Sequence, residues 1–124
     1  MAVSRFEVFK DVTGKFKFRL KAPNGEIIAT YEGYTTKALC LMGIKSVMKN
    51  APIAEIMENI YGSEGARRAF EVFKDVTGKF KFRLKAPNGE TIAISEGYTT
   101  KASCLNGIKM VRKNAPIAKI EEIL

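Results

Sequence analysis

Three sets of side chains in this sequence have types and spacing that could do chemistry. The first is a run of cations, Lys15, Lys17, Arg19 and Lys21, which returns as Lys79, Lys81, Arg83 and Lys85. Cations presented together with aromatic rings can take a polyanion such as single-stranded nucleic acid, and Phe9, Phe73 and Tyr31 are expected on the same side. The second is Thr35-Thr36-Lys37 and its copy Thr99-Thr100-Lys101. Hydroxyls, free backbone N–H groups and a lysine at a helix start can hold a phosphate or sulfate. The third is the pair Cys40 and Cys104, candidate nucleophiles. A thiol must ionise to attack, and the 124-residue chain has no histidine to activate it.

Each set has a plainer alternative. Charged residues on one face of a strand are the ordinary state of a half-buried sheet. Glu7, Asp11, Glu26 and Glu32 stand on neighbouring strands and can pair with these cations, at roughly 0.2–1 kcal/mol a pair. A threonine before a helix is first of all an N-cap. The cysteines fall on an apolar helical stripe, where a thiol is inert, and without histidine they make a poor zinc site. No metal, cofactor or catalytic residue is therefore expected. With neither a nucleophile–base pair nor a glycine-rich phosphate loop, the sequence does not read as an enzyme.

The elements that must position these groups are legible from periodicity. Phe16, Phe18, Leu20 and Ala22 alternate strictly with the cations of the first run, which predicts a half-buried antiparallel strand with its apolar side on a core. An RNA-recognition strand is excluded, since its aromatics lie on the open face, whereas here only cations oppose the phenylalanines. A strand from Phe6 to Lys10 precedes this run, across an Asp11–Gly14 turn. Asn24-Gly25 follows as a hairpin turn. A third strand from Glu26 to about Glu32 is expected to turn Ile28 and Thr30 inward, with Ile92 and Ile94 in the copy. Ile27, Tyr31, Thr91 and Ser95 are expected outward.

Gly33-Tyr34-Thr35-Thr36 opens a helix, with Tyr34 as a hydrophobic staple and Cys40, Leu41, Ile44 and Val47 as its core stripe. Gly43 and Gly107 lie mid-helix, where glycine costs about 1 kcal/mol relative to alanine. A close crossing of the two helices would account for both. After Asn50-Ala-Pro52, the Ile53 and Ile56 spacing favours one more helical turn over a short strand.

The whole pattern occurs twice. Residues 6–60 and 70–124 align at an offset of 64 with 44 identities in 55 positions. The chain therefore divides into a first β-β-β-α repeat over 1–60, a polar linker over 61–69 and a second repeat over 70–124. The expected fold is α+β: two repeats docked about a pseudo-two-fold axis into one compact unit, antiparallel sheet on one side and helices on one face.

The succession Phe-x-Val-Phe-Lys-Asp, Gly-Lys-Phe-x-Phe-Arg-Leu-Lys-Ala, Asn-Gly-Glu, Glu-Gly-Tyr-x-x-Lys, Gly-Ile-Lys and Lys-Asn-Ala-Pro resembles the YegP-like family of small proteins, in a duplicated form. The resemblance runs through nearly all of both repeats. It implies a β-β-β-α module that pairs, between chains when single and internally when duplicated. It brings no functional residues with it.

The net charge of +8 and the concentration of cations on two strands would attract polyanions, most strongly at low salt. No apolar run approaches the roughly 18 residues of a membrane span, and no signal peptide opens the chain, so a cytoplasmic protein is expected. The differences between copies carry the rest of the functional signal. Ile27, Tyr31, Leu39, Met42, Met48 and Met57 become Thr91, Ser95, Ser103, Asn106, Arg112 and Glu121. All six changes replace an apolar or aromatic residue by a polar one, so the first copy is expected to carry an interface, either with a second chain of the same protein or with another protein. The sequence thus reads as a small protein-interaction or self-associating module. Weak, salt-sensitive binding of nucleic acid through the cationic strands is the alternative.

Overall fold

A computed structural model describes residues 3–58 and 67–124. Strand β1 (Arg5–Lys10), β2 (Phe16–Lys21) and β3 (Ile27–Tyr34) form an antiparallel meander, followed by helix α1 (Lys37–Asn50). The second copy gives β5 (Ala69–Lys74), β6 (Phe80–Lys85), β7 (Thr91–Ile94) and helix α2 (Lys101–Asn114). The turns follow their residues. Asp11 Oδ1 accepts the N–H groups of Thr13 and Lys15, and Gly14 takes the positive φ, 86°, that this turn requires.

The segments after each helix correct the expected architecture. Ala51–Ile53 and Ala115–Ile117 do form single 3-10 turns, but the chain then extends into strands β4 (Glu55–Glu58) and β8 (Lys119–Glu122). Each repeat is therefore β-β-β-α-β. Of the isoleucines that suggested a helical turn, Ile53 and its copy Ile117 are 60% and 72% exposed, while Ile56 packs against the core from a strand. An open strand edge nearby decides the conformation instead. It belongs to the other repeat: β4 pairs in parallel with β5, and β8 pairs in parallel with β1.

All strands lie in one eight-stranded sheet of order β4-β5-β6-β7-β3-β2-β1-β8. The pseudo-two-fold passes between β3 and β7, where Thr30 faces its own equivalent Ile94, a position at which the copies differ. Both helices cover the face that carries Phe6, Phe18, Leu20, Phe70, Phe82 and Leu84, all fully buried against Ile44, Val47, Ile108 and Val111. Burying one such side chain is worth about 1.5–3 kcal/mol. Ala69, expected at the end of the linker, is the first residue of β5 and is fully buried. Residues 61–66 of the expected linker lie outside the described residues.

Two further expectations are corrected. A bulge at Ile28 shifts the register between the Leu20–Ala29 and Lys21–Ile27 pairs, so Ile28 and Ala29 are both buried. Beyond the bulge the facing is reversed. Thr30 and Ile94 pair with Arg19 and Arg83 on the outer face. Tyr31 packs on the core, and Ser95 is buried with its Oγ accepting from Phe82 N–H at 2.9 Å. The mid-helix glycines serve a tyrosine rather than a helix crossing. A Cβ on Gly43 would lie 2.2 Å from Tyr34 Oη, and one on Gly107 would lie 2.3 Å from Tyr98 Oη. Tyr34 thus lies beyond the first helical turn, stacked on Phe18 with ring centroids 6.2 Å apart.

Because each repeat completes the other's sheet, the two should unfold together. Removing residues 119–124 should leave the edge of β1 open and lower Tm by several degrees, for a loss of about 2 kcal/mol. Circular dichroism melts should stay a single transition in both proteins. Two separate transitions would show that the exchanged strands do not couple the repeats.

Candidate functional site

The outer sheet face and the helix starts carry the charged candidates. Glu7 sits on the outer face of β1, next to the edge strand β8, with a nearly buried side chain, 6% exposed, and Arg19 Nε donates to its Oε1 at 2.6 Å. Arg5 and Lys21 also reach it, at 3.1 and 3.2 Å. Burial alone would push this carboxyl up, but the bonds from Arg19, Arg5 and Lys21 outweigh it and hold its pKa at about 2. In the second copy Glu71 takes Arg83 at 2.6 Å and Lys85 at 3.4 Å. Lys81 approaches Asp75 at 4.0 Å, and Lys17 lies 5.2 Å from the centre of the Phe9 ring. Lys15 and Lys79 are exposed beside the turns. Half of the eight strand cations are therefore spent on two buried carboxylates. Tyr31, expected among them, is on the opposite face.

The helix starts are likewise occupied. Thr36 Oγ1 accepts Leu39 N–H at 3.1 Å, and Thr100 does the same for Ser103. Lys37 pairs with Glu122 at 2.9 Å and Lys101 with Glu58 at 2.9 Å. A lysine opposes the dipole at each helix start because it ties that helix to the end of an exchanged strand. Thr35 and Thr99 each stand one residue before the capping threonine. Cys40 and Cys104 are fully buried free thiols, and burial pushes both up to about 11.

The six residues that distinguish the first copy do not form one patch. Met48 packs against the core, while its counterpart Arg112 reaches across to the Ala54 carbonyl. Met57 lies on β4 beside Ala69 and Glu71. Its counterpart Glu121 pairs with Arg5 at 3.1 Å, and Arg5 has Ala69 as its own equivalent, so these two differences compensate each other.

The remaining four positions line two grooves that sequence reasoning missed. Each runs between a helix and the third-strand hairpin of the opposite repeat. The α1 groove, about 510 Å³, is lined by Leu39, Met42, Tyr31, Tyr34 and, from the second repeat, Glu90 and Ile92. The α2 groove, about 870 Å³, has Ser103, Asn106, Tyr98 and Glu96, with Glu26 and Ile27 from the first repeat. Leu39 and Met42 are 45% and 64% exposed. The grooves are built alike and differ in chemistry: the α1 groove is mostly apolar with one carboxylate, Glu90, and the α2 groove is more polar with two, Glu26 and Glu96. Burial of Tyr34 pushes its hydroxyl up to about 12, with Cys40, Tyr31 and Glu90 adding to the shift. The signal for these grooves was in the list of differences, but not in any single repeat, because their walls come from both.

The chain is thus an α+β body of two like repeats, with two unequal surface grooves and buried thiols. The chain belongs to the family described as Domain of unknown function (DUF1508), whose model matches residues 11–58 and 75–122. It is similar to a UPF0339 protein from the ptx operon 5' region of Stutzerimonas stutzeri, 41% identical over 95% of each chain. A Treponema denticola UPF0339 protein is 59% identical over 54 residues, which are 44% of this chain and 93% of that one. The solution structure of YegP from E. coli, a protein of unknown function, matches with a TM-score of 0.80 at 34% identity, covering 99% of this chain and 95% of that one. The YegP-like resemblance and its duplicated α+β fold are thus established. Among the described residues, no helix is long and apolar enough to cross a membrane.

Two outcomes follow from these contacts. Glu7 has a folded pKa below its ordinary 4.5, so its contribution is complete above about pH 4.5 and is lost as pH falls toward 2. Glu7→Gln should cost about 1–2 kcal/mol at pH 7, after allowance for the screening of its partly exposed partners, and the difference from wild type should vanish near pH 2. Denaturant melts across pH check this, and a pH-independent difference would refute it. Gly43→Ala should destabilise by about 1–3 kcal/mol through the clash with Tyr34, and adding Tyr34→Phe should restore part of the loss. A Gly43→Ala protein more stable than wild type would mean that helix propensity outweighs the contact.

Proposed function

We propose that this protein is a non-enzymatic protein-interaction module whose working surface is the α1 groove. The observation that carries this reading is the exposure of Leu39 and Met42 at positions where the second helix has Ser103 and Asn106. Other differences between the copies have partners inside the molecule: Arg112 on Ala54, Glu121 on Arg5, Thr30 against Ile94. Leu39 and Met42 have none that explains them. Apolar side chains kept in water beside a groove are the usual mark of a surface that is covered in use.

Polyanion binding is the weaker reading. The ion pairs of Glu7 and Glu71 leave Lys15, Lys17 and Lys79 as the cations least engaged on the strand face, and so few charges would give a salt-sensitive attraction without specificity.

A photo-crosslinking residue at Met42 should form protein adducts in cells, and the same residue at Asn106 should not. Equal labelling at both positions, or none at either, would reject the α1 groove as the working surface. Fluorescence anisotropy with labelled single- and double-stranded oligonucleotides should show any binding lost by physiological salt. Micromolar binding that survives there would return the cationic strands to first place.

A further inference from the structure

The α1 groove continues along its helix into a second cavity, and the chemistry changes on the way. The adjoining space, about 490 Å³, shares Met42, Ser46, Ala86 and Asn88 with the first and ends at Lys45, Lys49 and Asn50. Together they make one trough between α1 and the second repeat's hairpin. Leu39 and Met42 lie at one end of it. Lys45 and Lys49 are exposed at the other, and neither makes an ion pair with any described residue. Arg68 adds a third cation there, its Nε donating to Asn50 Oδ1 at 2.7 Å. Among the described residues the trough has one carboxylate, Glu90, and it belongs to the apolar end.

From these observations we infer that the α1 trough takes an acidic amphipathic segment of another protein: an apolar side chain between Tyr31, Leu39 and Met42, followed by carboxylates toward Lys45 and Lys49. This rests on the interaction reading above and names the partner's chemistry. Charge complementarity carries it. Leu39 to Lys49 spans ten helical positions, about 15 Å of rise, which an extended segment covers in roughly five residues. Glu90 sets the direction, because a carboxylate placed at the apolar end would meet it. A second copy of this chain is a poor occupant: a parallel pair of such helices would bring Lys45 and Lys49 against their own kind, and an antiparallel pair would lay those charges on Leu39 and Met42. The molecule contains its own control: α2 has the equivalent Lys109 and Lys113 but offers Ser103 and Asn106 where the apolar anchor would sit.

The test is selection of a random dodecapeptide display library on the full chain, with Leu39→Ser/Met42→Asn as counter-target. Enriched peptides should pair a large apolar residue with two or more Asp or Glu within about five positions. Their affinity should fall about tenfold in Lys45→Glu/Lys49→Glu, in which circular dichroism confirms the fold, and should fall again as salt rises. Peptides that depend on Leu39 and Met42 but are neutral or basic, or that bind Lys45→Glu/Lys49→Glu unchanged, overturn this inference and leave the interaction reading standing. No enrichment over the counter-target overturns both. Light scattering that shows a wild-type dimer dissolved by Leu39→Ser/Met42→Asn assigns the trough to a second copy and overturns the acidic partner alone.

Discussion

The structure depends on a backbone constraint: the first strand of each repeat has an open edge that its own repeat does not close. In each half, β1 or β5 pairs on one side with the following strand, and only a strand from the other half reaches its remaining N–H and C=O groups. A buried or half-buried strand cannot leave that ladder unpaired without cost, since each unmet backbone group loses the hydrogen bond it had in water. The exchange of β4 and β8 settles it. From this one arrangement come the continuous sheet, the lysine–glutamate ties at both helix starts and the placing of Glu121 beside Arg5.

Much of the fold was legible because its signals are local. Strict alternation in residues 15–22, the Asp11 and Asn24 turns and the helical stripe of Cys40, Ile44 and Val47 each specify their element without help. What was not legible is what tertiary pairing decides. Ile53 and Ile56 have a helical spacing, yet an open strand edge makes the segment beyond Pro52 extend. One extra residue at Ile28 reversed the facing of everything after it, because a strand has a period of two and carries no memory of an inserted position. Gly43 declared a close contact but could not say with what, and the answer is a hydroxyl nine residues earlier.

The candidate sites were legible as residues and not as places. Six of the eight cations lie on β2 and β6 and the other two beside the turns, but a lysine's availability depends on which carboxylate it faces, and Glu7 holds three cations at once. Lys37 and Lys101 suggested an anion. They oppose the helix dipole for another reason, since their partners, Glu122 and Glu58, arrive from the far repeat. The list of apolar-to-polar changes acquired a spatial meaning only once structure sorted it into changes with an internal partner and the few without one.

The grooves have a consequence for how such a protein can diverge. Each is walled by a helix from one half of the gene and a hairpin from the other, so Ile27 contributes to the α2 groove and Ile92 to the α1 groove. A duplicated gene is usually pictured as one copy kept and the other free to drift. Here neither copy is free, because a change in either hairpin alters the groove along its sister's helix. Specialisation of one groove is inherited from both halves, and recombination that replaced one repeat by the other would alter both surfaces at a stroke.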